Sequence, residues 1–244
     1  MEAYLYEDLY LLEEKHWWHI SKRRLCLAII KKFSTGKRPT ILDVGCGTGK
    51  NIEEFNKVGK TYGIDNSSKA IKFCKIRNLK HVRLASSNRT GFKSGFFDVV
   101  TLLDVLEHVD EQPTLSELKR ILKKSGKIII TVPAYMWLWS NWDKVLHHKR
   151  RYSQKTLTLA LEENGFKVLK ISYLYSFLVL PSFLIRFVKS VIYRNNYPSD
   201  FRLSSSLINS LLGMISEVER IVFIKTKIPF GTSIICVAQK NEKK

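Results

Sequence analysis

The residues best suited to chemistry are an acid and three glycines in the segment DVGCGTG. Asp43 is followed by Gly45, Gly47 and Gly49 at every second position. Such a loop turns sharply, and its backbone can approach a ligand without obstruction from Cβ atoms. A second acid, Asp65, ends the segment YGID, where a carboxylate can accept hydrogen bonds from both hydroxyls of a ribose. Asp65 could instead cap the following helix, but the loop and the acid lie one strand apart, which favours a ribose site.

Two histidines are candidates for transferring protons, because imidazole titrates near neutral pH. His108 lies in the segment LEH, and His148 lies in HHKRRY, with Asp143 before it and Arg151 after it. The alternative role of His108 is structural, as a side chain that bonds a neighbouring loop. The alternative position of His148 is a solvated basic turn, since charged runs usually face water.

These residues must be positioned by strands, which are predicted from short β-branched runs. Between 40 and 134, the runs TILDVG, TYGID, HVRLA, FFDVVTLLDV and GKIIITVPA alternate with helical patterns near 50–58, 67–78 and 113–124. This alternation predicts a parallel sheet with helices on its faces. The glycine loop and the acid then lie at the carboxyl edge of the sheet, where ligands bind. A helix over Gln154–Glu163 and two strands, FKVLKISYLY and TSIICVAQK, complete the pattern.

An insertion with its own structure is predicted before the last strand. The last two strands are separated by roughly 55 residues, far more than a hairpin loop requires. Within this insertion, at about 176–231, an amphipathic helix is expected over about 207–224. Its apolar stripe consists of Leu207, Leu211, Ile215, Val218 and Val222. The residues expected to face away from the stripe are Asn209, Ser216, Glu219 and Arg220. The stripe either packs on the domain core or forms a lid or an exposed apolar face.

The composition indicates one globular domain with a strong positive charge. Of 244 residues 45% are apolar, and 41 Lys and Arg against 22 Asp and Glu give a formal net charge of +19. This excludes intrinsic disorder and leaves anionic substrates, membranes and nucleic acid as partners. The four cysteines form no CxxC pair, so neither a zinc site nor a disulfide framework is expected, and a reduced, cytoplasmic setting is predicted. Neither an export signal nor a membrane-spanning helix is expected.

The motifs within 40–134 resemble those of one family. ILDVGCGTG, YGIDNS, FFDVVTLLDVLEHV and LKRILKKSGKIIITVPA are similar to the motifs of class I S-adenosylmethionine-dependent methyltransferases, in their type 11/12 small-molecule branch. The resemblance of these motifs implies an α/β, Rossmann-like fold with a seven-stranded, mostly parallel sheet in the order 3-2-1-4-5-7-6, an antiparallel last strand, helices on both faces and a helical insertion before that strand. We therefore expect an N-terminal helical extension or lid at 1–39 and a methyltransferase domain at 40–244.

The resemblance also implies S-adenosyl-L-methionine as the cofactor and no metal. Asp43 would organise the loop and the ammonium end of the cofactor, and Asp65 would hold the ribose. Relatives often carry an acid at the end of the third strand, where this chain has Ser86, so Ser86 or Ser87 becomes the candidate for the adenine edge. The implied cofactor-binding residues are Asp43, Gly45, Cys46, Gly47, Gly49, Asp65, Asn66, Ser86, Ser87, Leu103 and Asp104.

Two tryptophan-rich segments outside the repeating units are candidates for substrate recognition. They are EEKHWW, which is followed by arginines, and YMWLWSNW at 135–142. Either they pack as core over the sheet, or they form an aromatic lid whose arginines offer forks for phosphate or carboxylate groups. The predicted substrate-binding residues are Trp17, Trp18, Arg23, Trp139, Asp143, Arg151 and Tyr152. His108 and His148 are the candidate catalytic bases.

The sequence leaves more than one function open. The first is methyl transfer to a small or lipid-linked acceptor, such as an isoprenoid, a quinone-like compound or a polyprenyl-phosphate-borne sugar. An anionic membrane surface is then a further partner, because the positive charge is dispersed. The alternative is an RNA methyltransferase, although the fourth strand is followed by Leu-Leu-Asp-Val instead of a Pro-Pro signature and the fifth ends in Val-Pro-Ala instead of Pro-Cys. The third is nucleotide binding without transfer.

Overall fold

One sheet organises the chain, which is seen in a computed structural model that describes residues 5–34, 36–184 and 205–241. The middle of the predicted insertion therefore lies outside the described residues. Within these ranges, the seven strands pair in the order β3-β2-β1-β4-β5-β7-β6. They are β1 (Thr40–Val44), β2 (Lys60–Asp65), β3 (Val82–Leu84), β4 (Phe97–Leu103), β5 (Leu122–Pro133), β6 (Phe166–Leu174) and β7 (Ser233–Lys240). Only the pairs that involve β7 are antiparallel, so the predicted fold class and strand order are confirmed.

Helices cover both faces of this sheet and begin at residues that suit a helix start. Ser67 and Ser153 accept hydrogen bonds from backbone N–H groups in the first turns of the helices Ser68–Ile76 and Gln154–Glu163, as N-cap residues do. The helices of at least five residues whose two ends both lie within the described residues are α1 (Leu5–Leu12), α2 (Trp17–Phe33), α3 (Lys50–Phe55), α4 (Ser68–Ile76), α5 (Glu111–Ile121), α6 (Asn141–Val145), α7 (Gln154–Glu163) and α8 (Ser206–Lys225).

Helices bury the sheet on both faces, and successive side chains of its central strands point to opposite faces. Leu42 of β1 packs in the core shared with α5 and α7, whereas Ile41 packs in the core shared with α2 and α8. Cys26 and Ile29 of α2 are fully buried there. The N-terminal segment that was predicted as an extension or lid is therefore partly core, since α2 covers one face of the sheet.

The polarity of α8 is the reverse of the predicted one. Ser216 and Glu219, which were expected to face solvent, are buried, whereas Leu207, Leu211 and Val218 are exposed. The interpretation that this stripe packs on the core is wrong. Glu219 explains the orientation, because its carboxylate accepts hydrogen bonds from the backbone N–H groups of residues 175 and 176 at 2.6 and 2.7 Å. Across the described ranges, every helix is too short or too polar to span a bilayer.

Asp43 is the acid within the otherwise apolar strand β1. It is 1% exposed, and its Oδ1 accepts a hydrogen bond of 2.6 Å from the hydroxyl of Thr101 on the neighbouring strand β4. Burial raises the pKa of Asp43 to about 7, because the ionised form is poorly solvated there. The carboxyl group thus links the two central strands, and the free-energy cost of burying it depends on whether it is protonated.

This burial predicts a pH-dependent stability. A carboxyl group whose pKa is raised on folding stabilises the native state fully below its unfolded pKa, and the contribution is lost as pH rises through the folded pKa. For Asp43 that window runs from 3.8 to about 7. Between pH 5 and pH 8, we expect the unfolding free energy of the cofactor-free protein to fall by roughly 2 to 3 kcal/mol more than that of Asp43→Asn. Urea denaturation at both pH values tests this, and parallel pH profiles would contradict it.

Candidate active site

A cavity of about 680 Å³ opens at the carboxyl edge of the sheet, within the size range of small-molecule sites. It brings together most of the predicted site residues. Those on its wall are Trp17, Trp18, Gly45, Gly47, Asp65, Asn66, Ser86, Ser87, Leu103, Asp104, His108, His148 and Arg151. Those that do not reach the wall are Arg23, Asp43, Cys46, Gly49, Trp139, Asp143 and Tyr152.

The glycine loop crosses from β1 to α3 with its backbone exposed to the cavity. Gly45 and Gly47 have φ angles of +69° and +53°, a left-handed conformation that L side chains rarely adopt. A Cβ atom on Gly45 would lie 2.5 Å from the Cγ2 atom of Val105. The N–H groups of Gly45 and Cys46 both donate to the carbonyl of Ile64, so the loop is held against the end of β2.

Three residues predicted to contact the cofactor lie behind this loop. Asp43 bonds to the neighbouring strand, as described above. Cys46 is buried, with its Sγ 4.0 Å from the Sγ of Cys74. Gly49 is the N-cap of α3 and has a φ of +92°. The side chains or Cα atoms of these three residues face the protein interior and not the cavity. Their position suits shaping the loop, whereas we had predicted contact with the cofactor.

Asp65 stands at the end of β2 and faces the cavity. Its Oδ2 accepts a hydrogen bond from Gly47 N, and its Oδ1 accepts one from Ser67 N, each at 2.9 Å. Burial raises the pKa of Asp65, and the backbone donors oppose that rise. The N-cap of α4 is Ser67 itself, so the capping alternative for Asp65 is wrong. The carboxylate ties the glycine loop to β2 and keeps further acceptor capacity for a ligand.

The predicted adenine end of the cavity is lined by Asn66, Ser86 and Ser87. Both hydroxyl groups already have partners: Ser86 Oγ donates to the side chain of Asn88 at 2.6 Å, and Ser87 Oγ lies 3.1 Å from the hydroxyl of Thr114. These serines thus offer a cavity wall of limited polarity. Where relatives often carry an acid, this chain has only the hydroxyl group of Ser86.

Asp104 lies on the cavity wall and takes part in an ion pair. Asp104, whose φ is +57°, pairs with Lys22 of α2, and both side chains are largely shielded from solvent. Lys22 Nζ also lies 3.3 Å from the ring centroid of Trp18. Burial lowers the pKa of Lys22, and the charge of Asp104 opposes that shift. Sequence reasoning missed Lys22, because nothing in a basic run near the N-terminus signals a partner 82 positions away.

His148 is held by a buried carboxylate. Its Nδ1 lies 2.8 Å from Oδ1 of Asp143, and the same carboxylate accepts hydrogen bonds from Nε and Nη2 of Arg151 at 2.7 and 3.0 Å. Asp143 is fully buried. Although burial acts to raise its pKa, the bonds from His148 and Arg151 hold the pKa of Asp143 well below its usual range. His148 therefore has its second ring nitrogen available on the cavity wall, and the solvated-turn alternative is wrong.

His108 packs against His148, with ring centroids 4.7 Å apart. Burial, followed by the neighbouring His148, lowers the pKa of His108 to about 4. Next to it, Glu107 is fully buried, and neither of its carboxylate oxygens has a hydrogen-bond partner within the described part of the chain. Burial, with Asp104 as a second cause, raises the pKa of Glu107 well above its ordinary value. Glu107, His108 and His148 each place a potential metal-ligand atom within 4.8 Å of the others.

Four predicted substrate contacts lie behind the cavity wall. Tyr152 belongs to the core under β5, and its hydroxyl donates to Glu111 at 2.5 Å. Arg23 is buried in α2, and Asp143 supports the histidine from behind. Trp139 is half-buried beside the 3₁₀ turn that follows β5. None of these four side chains lies on the cavity wall.

Other wall residues were missed by sequence reasoning. Tyr6 and Leu9 of α1 cover the glycine loop, and α1 is held by Glu13, which accepts hydrogen bonds from Thr48 and from Arg77. The remaining missed wall residues include His16, Glu107, Trp142, His147, Leu178, Ser182, Thr232 and Ser233. The segment TSIICVAQK was predicted only as a strand, and α1 carries no pattern that specifies which side meets the loop.

The Asp143 network predicts a large effect on stability. We expect Asp143→Ala to lower the free energy of unfolding by about 3 kcal/mol or more, because Arg151 is left buried without its partner. Asp110→Ala is the matched control, since Asp110 pairs with Lys149 on the surface, and it should lower the free energy far less than Asp143→Ala does. Urea denaturation of the three proteins measures this, and equal midpoints for both variants would refute the role assigned to Asp143.

Comparison with known proteins agrees with this geometry. A sequence model of the methyltransferase domain family matches residues 17–171. An uncharacterized protein of Methanocaldococcus jannaschii is 32% identical over 156 residues, which are 63% of this chain and 65% of that protein. A ubiquinone biosynthesis O-methyltransferase of Thiobacillus denitrificans is 32% identical over 99 residues, which are 37% of this chain and 43% of that protein. The chain thus spans about two thirds of the first relative and less than half of the second.

The fold recurs in solved structures. A SAM dependent methyltransferase from Archaeoglobus fulgidus superimposes with a TM-score of 0.58 at 23% identity, covering 89% of this chain and 94% of that one. This likeness establishes the fold, and the family model, which spans more than half of the chain, establishes the family. The chain belongs to the methyltransferase domain family, and its fold is that of a solved SAM dependent methyltransferase.

Proposed function

We propose that this protein transfers a methyl group from S-adenosyl-L-methionine to an acceptor bound in the same cavity. The observation that carries the proposal is the combination of two sets of groups on one wall. The first set is the glycine loop with Asp65, and the second is His148 backed by Asp143. A cavity of about 680 Å³ is large enough for a cofactor together with part of an acceptor.

The residues present fit this cofactor. Asp65 is a buried carboxylate that can accept hydrogen bonds from ribose hydroxyls in addition to its two backbone donors. The left-handed Gly45 and Gly47 present backbone without a Cβ atom. The backbone around Leu103 and Asp104, on the cavity wall, is placed to meet the ammonium end. Bound there, the cofactor supplies an electrophilic methyl group on a sulfonium, so the protein mainly has to hold a nucleophile in position and accept its proton.

His148 is the group that accepts a proton from the acceptor. With Nδ1 engaged by Asp143, the lone pair of Nε2 is available, and the buried carboxylate stabilises the imidazolium that forms. His108 serves less well as a base, because a pKa of about 4 means that it does not retain a proton near neutral pH. His108 instead packs against His148 and limits its motion.

The aromatic and helical cover excludes water from the reacting groups. Trp17 and Trp18 of α2 and Tyr6 and Leu9 of α1 line the cavity, and Trp17 is itself largely buried against Tyr175. Exclusion of water favours transfer because it strengthens the electrostatic contacts made to the reacting groups. The predicted aromatic lid is therefore part of the proposal.

For the acceptor, we propose a small or lipid-linked molecule with a hydroxyl group, methylated in the cytoplasm at an anionic membrane surface. Relatives of this chain named ubiquinone biosynthesis O-methyltransferases support an isoprenoid, quinone-like acceptor. The net charge of +19 supports attraction to anionic lipid. The four cysteines are free thiols, in keeping with a reducing compartment.

The cofactor site predicts a loss of affinity on removal of one carboxylate. We expect Asp65→Ala to weaken binding of S-adenosyl-L-methionine by about 1.5 to 3 kcal/mol, because a charged hydrogen-bonding partner is lost. Asp110→Ala provides the control. Isothermal titration calorimetry measures both, with thermal melting to verify that each variant is folded. Unchanged affinity of Asp65→Ala, or absence of binding to the natural protein, would sink the proposed function.

The proton acceptor predicts a loss of rate without loss of cofactor binding. We expect His148→Gln to lower kcat by about 10² to 10³, the usual contribution of a general base, and His108→Gln to lower it by less than about tenfold. Methyl transfer from radiolabelled cofactor to polyprenyl phenols with a free hydroxyl, with total RNA in a parallel reaction, gives the readout. A wild-type rate in His148→Gln would remove its role, and label in RNA alone would favour the RNA methyltransferase.

A further inference from the structure

The side of α8 that faces away from the protein is apolar along its whole length. We call Leu207, Leu211, Met214, Val218 and Ile221 the outer face. They recur at spacings of four and three, so they lie in one line along the helix, and each is between 48% and 85% exposed. An apolar surface of this extent on a charged protein marks an interaction site.

Polar contacts prevent α8 from turning this face inward. Near its start, Asn209 accepts a hydrogen bond from Trp17 N and donates one to the carbonyl of Lys15, each at 2.9 Å. Further along, Glu219 holds the backbone at Tyr175 and Ser176. Rotation of the helix would leave the buried Glu219 carboxylate without these donors, which is costly. These hydrogen bonds thus fix the rotation of α8 so that the outer face is exposed to solvent.

Positive charge gathers at the end of the outer face. Lys225 and Lys227 are exposed at the C-terminal end of α8, and Lys32 and Lys227 lie close enough to Lys170 to oppose its charge. The acid next to the outer face, Glu217, is already paired with Arg24 and Arg220 at 3.1 and 2.8 Å. The outer face itself carries no acidic residue, so its chemistry is apolar with a basic end.

A second exposed apolar group lies next to the cavity. Leu180, Phe183 and Leu184 are exposed, whereas Ser182 between them lines the cavity. Phe183 meets Trp137, itself 56% exposed, edge to face at 6.1 Å between ring centroids. Tryptophan is favoured where apolar and aqueous phases meet. The cavity wall and an exposed apolar surface are therefore parts of the same short segment.

We propose that the outer face of α8, with the lysines at its end, binds an anionic lipid bilayer, with the helix lying in the plane of the headgroup region. An in-plane helix with one apolar face and basic residues is the form that such binding takes. A lipid-borne acceptor could then enter the cavity beside Ser182 without leaving the bilayer. That last step rests on the proposed function, whereas binding to the bilayer does not.

A bilayer suits this surface better than a second copy of the chain. Two copies joined through α8 would bring together chains that each carry a formal charge of +19, so the association would be opposed by repulsion. An anionic bilayer offers the opposite charge as well as an apolar phase.

Vesicle co-sedimentation of the full chain tests the proposal, with phosphatidylglycerol vesicles compared with phosphatidylcholine vesicles. We expect binding to the anionic vesicles at physiological salt and a loss of at least about 30-fold in Leu211→Ser/Val218→Ser. Lys225→Gln/Lys227→Gln should lose roughly tenfold or more on anionic vesicles and change little on neutral ones. The matched control is Ile76→Ser/Leu159→Ser, which removes two exposed apolar side chains elsewhere and should bind as the natural protein does.

The outcomes separate this proposal from the proposed function. Equal melting temperatures and equal affinities for S-adenosyl-L-methionine would show that the variants are folded. Absence of binding to anionic vesicles overturns the docking surface, while methyl transfer to a soluble acceptor would leave the proposed function standing. Vesicle binding without any methyl transfer would support the docking surface and overturn the proposed function. A dimer in sedimentation equilibrium that Leu211→Ser/Val218→Ser dissociates would identify a second copy as the occupant and refute the bilayer.

Discussion

The carboxylate of Asp65 accepts hydrogen bonds from Gly47 N and Ser67 N, and it thereby joins the loop after β1 to the loop after β2. A loop of left-handed glycines has no side chains with which to hold its own shape, so it needs support from a neighbour. Parallel pairing supplies that neighbour, because Val44 lies beside Ile64 and both strands end at the same edge. The backbone donors offset part of the cost of burying the carboxylate. Helix α1 covers the glycine loop at this edge of the sheet, and Asp104 lies on the wall of the same cavity.

Buried charges connect this edge to the rest of the chain. Lys22 of α2 reaches Asp104 after β4, and Asp143 joins Arg151 to His148. Burying paired charges costs about as much solvation as the pairing recovers, so such pairs contribute little net stability. They do fix orientation, because removal of either partner leaves an isolated buried charge. Interactions between distant elements thus set the positions of the site residues. The N-terminal helix α2 takes part in them through Lys22.

The same physical rule governs α8. The helix is oriented by where its polar groups find partners, since Glu219 meets the backbone N–H groups at 175 and 176, while its apolar residues are left outside. In a protein that functioned only in water this arrangement would be unfavourable, because burial of apolar side chains is the main source of stability. An apolar phase in contact with Leu211 and Val218 removes that cost. The proposed bilayer-binding surface and the cavity are thereby different parts of one domain.

The sequence by itself determined the elements and their order. Alternating β-branched runs, the glycine spacing and the acid ending YGID depend on local rules of backbone conformation and on the period of side-chain direction. The confirmed strand order followed from the resemblance that these motifs carry. The sequence also identified the residues of the glycine loop, which lies at a strand end, and the histidines of the cavity, because imidazole titrates near neutral pH.

Only the tertiary structure decided which side of each element meets a partner. Period alone could not tell whether the apolar side of α8 packs inward, because the deciding carboxylate of Glu219 binds a backbone 44 and 43 positions away. For the same reason Lys22 was missed, and Tyr152 and Asp143 were taken for ligand contacts although they lie behind the wall. Such outcomes depend on desolvation and hydrogen bonding between distant segments. These energies arise only when the segments are brought together in the fold.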